Sequence, residues 1–302
     1  MRPRSLVLKN LGGLLAAVLS CAAAPCAANG HQFEPALREE MIMVPLPAAA
    51  GWPALTATAY RPPGDGPFPL IVLSHGSPPS AEERSRMGRY RVTSRIREFI
   101  NRGFAVIVPM RRGYGDTGGD WAERYGSCAA PDYHGAGEQA AIDVLATTNY
   151  ASALPWVDRQ RIVLVGQSAG GFASLAAASH RPAGVVAVVN MSGGRGGNPR
   201  TRPGEPCAPE NMTRAISRFS QTIRIPVLWH YAENDQYFSG QHVRVWFSAF
   251  EAAGAPGTLV MRPPFGTDGH RMFASPAGLP LWTAAFDGFM RQIGFNYPIP
   301  DK

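Results

Sequence analysis

The chain has 302 residues, 45% of them hydrophobic and 17% charged, with a formal charge of +7. That length supports a large buried core, and the apolar fraction excludes wholesale disorder. The basicity comes almost wholly from arginine, with Lys9 and Lys302 the only lysines and no dense basic run, so no nucleic-acid partner is expected.

The first 28 residues read as a secretory signal. Arg2, Arg4 and Lys9 form a positive start, Leu11 to Ala24 an apolar stretch, and Cys26-Ala27-Ala28 a small-residue cleavage site before Asn29. The mature protein is then residues 29–302, one catalytic domain, exported to the periplasm or secreted and without stable membrane insertion. Val18-Leu19-Ser20-Cys21 offers the alternative of lipid anchoring through Cys21. Cleavage leaves Cys128 and Cys207, an even pair in an oxidising compartment, and so predicts a disulfide.

Residues 55–60 alternate and read as an early strand, and short apolar runs rich in Val and Ile follow at 70–73, 104–108, 161–165, 185–189, 226–229 and 258–261. Runs apolar on both faces suit a mostly parallel sheet covered by helices. Helix-length amphipathic stretches separate them, at about 86–101, 135–150, 169–181, 240–253 and 277–293. The alternation predicts an α/β doubly wound fold in one domain. Residues 192–222, rich in Gly, Pro and Arg, read as a short irregular cap insertion over the sheet.

Three loops carry the chemistry. Gly166-Gln167-Ser168-Ala169-Gly170 follows the strand 161–165 and opens the next helix, the strand–turn–helix context in which G-x-S-x-G presents a nucleophilic serine. A serine hydroxyl needs a general base, and the base an orienting acid. In such sheets both lie after later strands, in the order Ser, Asp/Glu, His. Asp235, in the polar loop Glu233-Asn234-Asp235, is the expected acid, with Glu233 in reserve. His270, in Gly266-Thr267-Asp268-Gly269-His270, is the expected base, and Asp268 shapes its turn. His242 falls inside a predicted helix.

An oxyanion hole needs two N–H donors. Ala169, after the nucleophile, supplies one, and Ser77, after the strand 70–73, the other. His75 is expected to hold that loop by hydrogen bonds. Arg111-Arg112-Gly113-Tyr114-Gly115 ends at the same sheet edge. Arg111 and Tyr114 are candidate substrate-binding residues; the competing reading has one arginine paired with Asp116, Asp120 or Asp143. Trp121, Tyr125, Trp229, Tyr237 and Phe238 are candidate pocket aromatics. No H-E-x-x-H, no G-x-x-x-x-G-K-[ST] and no helix-opening G-x-G-x-x-G is present, so neither a metal nor a nucleotide cofactor is expected.

Taken with Leu73 to Ser77 and Arg112 to Gly115, these loops resemble the α/β-hydrolase superfamily, over about residues 40–295. Within it the chain is similar to the dienelactone hydrolase-like branch of secreted bacterial serine hydrolases. True dienelactone hydrolases carry a cysteine nucleophile; the matching position here is Ser168. The branch borders on prolyl-oligopeptidase-like catalytic domains, whose large N-terminal propeller is not expected here, since only about 40 mature residues precede the strand 70–73. The resemblance implies a serine esterase acting on a small-molecule ester through Ser168, Asp235 and His270. The alternatives are a serine peptidase acting on small peptides and a non-catalytic exported binding protein on the same scaffold.

Overall fold

The computed structural model describes residues 33–297; the expected signal segment and Cys21 lie outside them. Residues 34–297 form one compact unit. Its strands are β1 (Glu40–Pro45), β2 (Ala54–Tyr60), β3 (Phe68–Ser74), β4 (Ala105–Pro109), β5 (Val157–Gln167), β6 (Val185–Met191), β7 (Val227–Ala232) and β8 (Gly257–Arg262). Its helices are α1 (Ala81–Ser85), α2 (Thr93–Asn101), α3 (Tyr133–Ser152), α4 (Ala169–Ser179), α5 (Pro209–Ser220), α6 (Gly240–Ala252) and α7 (Leu279–Gln292).

The eight strands form a single sheet in the order β1-β2-β4-β3-β5-β6-β7-β8. The pairs β1–β2 and β2–β4 are antiparallel and the rest parallel. The expected α/β-hydrolase architecture is present. Each predicted strand exists; the addition is β1, whose half-exposed pattern at the sheet edge carries little hydrophobic signal. Alternate residues of the central strands feed two separate cores. Leu70, Val72, Ile162 and Leu164 pack with α3, α4, α5 and α6 on one face. Ile71, Leu73, Val163 and Val165 pack with α2 and α7 on the other. Burial on both faces is why these strands read as unbroken apolar runs.

Two helix expectations change. The stretch 86–101 is helical only from Thr93. A separate short helix, α1, begins earlier, because Ser80 and Glu83 form a reciprocal capping box, and the chain leaves it before Gly88. In 192–222, the part from Pro209 to Ser220 is the regular helix α5. Met212, Ala215, Ile216 and Phe219 repeat at helical spacing and are buried in the core. Only 192–208 is irregular. Among the described residues no helix is long and apolar enough to cross a membrane.

Cys128 and Cys207 are joined in a disulfide, as expected.

Candidate active site

The site lies at the carboxyl ends of the parallel strands, where an open α/β sheet collects its loops. Ser168 stands between β5 and α4 with φ 55° and ψ −123°, a left-handed conformation that a residue with a side chain rarely adopts. The turn closes because its flanks are glycines. A side chain on Gly166 would strike Gly170 O, and one on Gly170 would strike Ser74 O. The energetic strain at Ser168 is thus held by packing on both sides, and its Oγ makes no hydrogen bond to any described residue. It faces a cavity of about 150 Å³.

Asp235 follows β7 and is 1% exposed. Its Oδ1 accepts the N–H groups of Tyr237 (2.8 Å) and Phe238 (3.0 Å). Its Oδ2 lies 2.9 Å from His270 Nδ1. His270 follows β8, in a turn set by Asp268, whose Oδ1 accepts from His270 N and Gln236 N, both at 3.0 Å. Tyr237 stacks on the His270 ring at 4.1 Å, and Phe238 meets it edge-on at 5.5 Å. Both aromatics line the same cavity as Ser168. The imidazole is therefore oriented by one carboxylate, one stacked ring and one edge-on ring. Gln167 Nε2 donates to His270 O (3.4 Å), tying the neighbour of Ser168 to this loop. The reserve acid Glu233 is turned outward, paired with Arg244, and His242 pairs with Glu205.

Ala169 opens α4, so its N–H has no intrahelical acceptor, and it lines the cavity with Ser77. A side chain on Gly76 would stand 3.3 Å from Ser168 Cβ, which measures how closely the loop after β3 passes Ser168. His75 fixes that loop. Its Nδ1–H donates to Gly76 O (2.7 Å), and its Nε2 accepts from Arg111 N (3.2 Å). Burial, with Arg111 nearby, pushes its pKa down to about 3, so the ring is a neutral strut rather than a base.

Arg111 and Tyr114, the candidate substrate-binding residues, do not line this cavity. Both are 0% exposed. Arg111 pairs with Glu123 and donates from Nη1 to His75 O (2.8 Å). Tyr114 donates to Glu123 Oε2 (3.0 Å) and accepts from Trp121 Nε1 (2.9 Å). Arg112 takes the structural pairing, with Asp143 (Nε–Oδ1 2.6 Å). The physical reason is topological: the loop turns at Gly113, whose chain passes so close to Trp121 that a side chain there would strike it, and the arginines are drawn inward to buried acids.

The sequence reading missed Glu123 and Arg195. Glu123 is fully buried between Arg111 and Arg195 and hydrogen-bonded to Tyr114. Burial alone would raise its pKa; the two guanidinium groups hold it well below the usual carboxylate range. Arg195, 3% exposed, lines the cavity with Arg84. An arginine among the glycines of 193–197, just past a strand end, was the available signal. Of the candidate aromatics, Trp121, Tyr125, Tyr237 and Phe238 line the cavity, whereas Trp229 is core.

The family model of the X-Pro dipeptidyl-peptidases (S15 family) matches residues 53–209, a span holding β3, the arginine loop and the serine turn. The chain belongs to the S15 family. This S15 member is thus in a serine hydrolase family within the α/β-hydrolase superfamily. No curated protein matches the chain. Among solved structures, Pyrococcus horikoshii acylaminoacyl peptidase aligns with TM-score 0.60 and 14% identity, over 87% of this chain and 43% of that one. A Pyrococcus furiosus esterase aligns with TM-score 0.60 and 13% identity, over 86% and 94%. A Klebsiella pneumoniae protein described as a dienelactone hydrolase aligns with TM-score 0.53 and 17% identity, over 85% and 97%. The S15 chain spans less than half of the acylaminoacyl peptidase and nearly the whole of the other two. At such identities the likeness is one of fold.

Proposed function

We propose that this protein is a carboxylic-ester hydrolase working through Ser168, Asp235 and His270 and an acyl-enzyme intermediate. The observations that support the reading are the strained Ser168 turn, whose neighbour Gln167 is tied to the His270 loop, and an imidazole whose Nδ1 lies 2.9 Å from buried Asp235. Asp235 fixes the tautomer that leaves His270 Nε2 free to accept a proton. Ser168 Oγ attacks the ester carbonyl as His270 takes its proton. The N–H groups of Ala169 and Ser77 stabilise the oxyanion, and losing one such donor typically costs about 10²–10³ in turnover. His270 then protonates the departing alkoxide, and water repeats the sequence on the acyl-enzyme. The expected occupant is a small-molecule ester, and export to the periplasm or medium is part of the proposal.

Ester rather than dipeptide cleavage is favoured by the cavity's charge. Removing a dipeptide from a free N-terminus calls for an acidic group to hold the α-ammonium. Among the described residues no Asp or Glu lines the cavity beside Ser168. The second reading, a peptidase on small peptides, draws on the family's name.

Hydrolysis of p-nitrophenyl acetate, butyrate and octanoate by the mature protein and by Ser168→Ala tests the proposal, with Ala-Pro and Gly-Pro p-nitroanilides alongside. Ester turnover lost in the variant is expected. Cleavage of the anilides in preference to esters would favour the peptidase. Absence of both activities, and of fluorophosphonate labelling, would leave a binding protein on a hydrolase scaffold.

A further inference from the structure

We propose that the cavity beside Ser168 receives an anionic group of the substrate, a carboxylate in the simplest case, on Arg195 and Arg84. The preferred ester then carries a negative charge close to its scissile bond. The inference rests on the ester-hydrolase reading above and names the substrate class of that site.

Three guanidinium groups gather here against one carboxylate. Glu123 is consumed by Arg111 and Arg195 together, so their buried cluster keeps a net positive charge that solvent screens weakly. Arg84 adds another. It is 8% exposed, lies flat over the Trp121 ring at 3.8 Å, and donates from Nη1 to Pro78 O and Pro79 O. Its own helix offers no compensation. Glu82 pairs with Arg86 at 2.8 Å, and Glu83 is engaged by Ser80 and Arg200. Asp235 is committed to His270.

The hydrogen bonding is unfinished as well. Arg84 Nε and Arg195 Nε are both buried without an acceptor. Buried donors are ordinarily paired, so the two residues that wall the cavity retain capacity for an acceptor-rich ligand. Packing against Trp121 and Glu123 pre-orients both guanidinium planes, so little side-chain entropy is left to lose on binding. Aromatic walls from Trp121, Tyr125, Tyr237 and Phe238, around a cavity of about 150 Å³, restrict the occupant to a compact group.

The test compares isosteric ester pairs differing by one carboxylate. On the acyl side these are the p-nitrophenyl half-ester of glutarate and p-nitrophenyl valerate. On the alcohol side they are 3-acetoxybenzoate and 3-acetoxytoluene. A charged substrate on at least one side is expected to show kcat/KM roughly ten- to a hundredfold above its neutral partner, the scale of a charge-assisted hydrogen bond. Arg84→Gln and Arg195→Gln should each collapse that ratio. Arg195→Gln disturbs a buried cluster, so Arg84→Gln and the wild-type ratio stand independently if it does not fold. Neutral esters preferred on both sides, or a ratio unchanged in Arg84→Gln, would overturn the proposal while leaving the esterase intact. Loss of all ester turnover and of fluorophosphonate labelling would instead remove the esterase reading itself.

Discussion

Cys128 and Cys207 join the two loops that wall the cavity. Cys128 lies two residues beyond Gly126, on the Trp121–Tyr125 side. The N–H of Cys207 donates to Gly196 O at 3.0 Å, and Tyr133 Oη–H donates to Cys207 O at 2.7 Å. The bridge thus secures the loop carrying Arg195 against the loop carrying Trp121. Its 79-residue separation makes the closed loop long, and such bridges typically stabilise by about 2–4 kcal/mol. The double variant Cys128→Ser/Cys207→Ser should lose about that much in urea denaturation. Its KM for esters should rise more than its kcat falls, because the bridge shapes the cavity without touching the reacting atoms.

Asp235→Asn should lower kcat by about 10⁴, since an amide no longer favours the tautomer with a proton on His270 Nδ1. The Asn Oδ1 can still accept the N–H groups of Tyr237 and Phe238, so the melting temperature should stay near that of the parent. Steady-state kinetics with p-nitrophenyl butyrate and a thermal melt check both halves. Glu233→Gln, which alters an exposed pair with Arg244, should leave kcat within a factor of about two, as expected for a surface ion pair.

Glu123→Gln should be the more damaging change for stability. It leaves Arg111 and Arg195 buried together without their shared counter-charge. Breaking a buried ionic cluster costs about 3–5 kcal/mol. Chemical denaturation at neutral pH measures it; a loss below about 1 kcal/mol would contradict the role given to Glu123.

Acid should destabilise the fold through its buried histidines. His75 takes up a proton in the unfolded chain below about pH 6.5, but in the folded protein only at about 3. His230, buried beside Arg262, behaves alike with a folded value of about 4. Between the unfolded and folded values the unfolded chain binds more protons, so stability rises with pH and falls as pH drops from about 6.5. Melting temperatures measured from pH 7.5 to 4.5 should therefore decline. His75→Gln should melt lower at pH 7 and show a shallower decline below it.

Much of this protein was set locally and could be read from its sequence. The apolar runs, the G-x-S-x-G turn, Asp235 and His270 after their strands, and the pairing of Cys128 with Cys207 each depend on short-range pattern or on residue inventory. Helix α5 was also legible, through Met212, Ala215, Ile216 and Phe219, but the surrounding Gly and Pro obscured its period. What only the tertiary structure decided is the fate of the charges. Arg111, Arg112, Arg195 and Arg84 are equivalent in a sequence. Arg111 and Arg112 are spent on Glu123 and Asp143, 12 and 31 residues away, whereas Arg195 meets Glu123 from 72 residues away and still lines the cavity with Arg84. Coulombic pairing in a low-dielectric interior is set by distance through space, and chain order does not encode that distance.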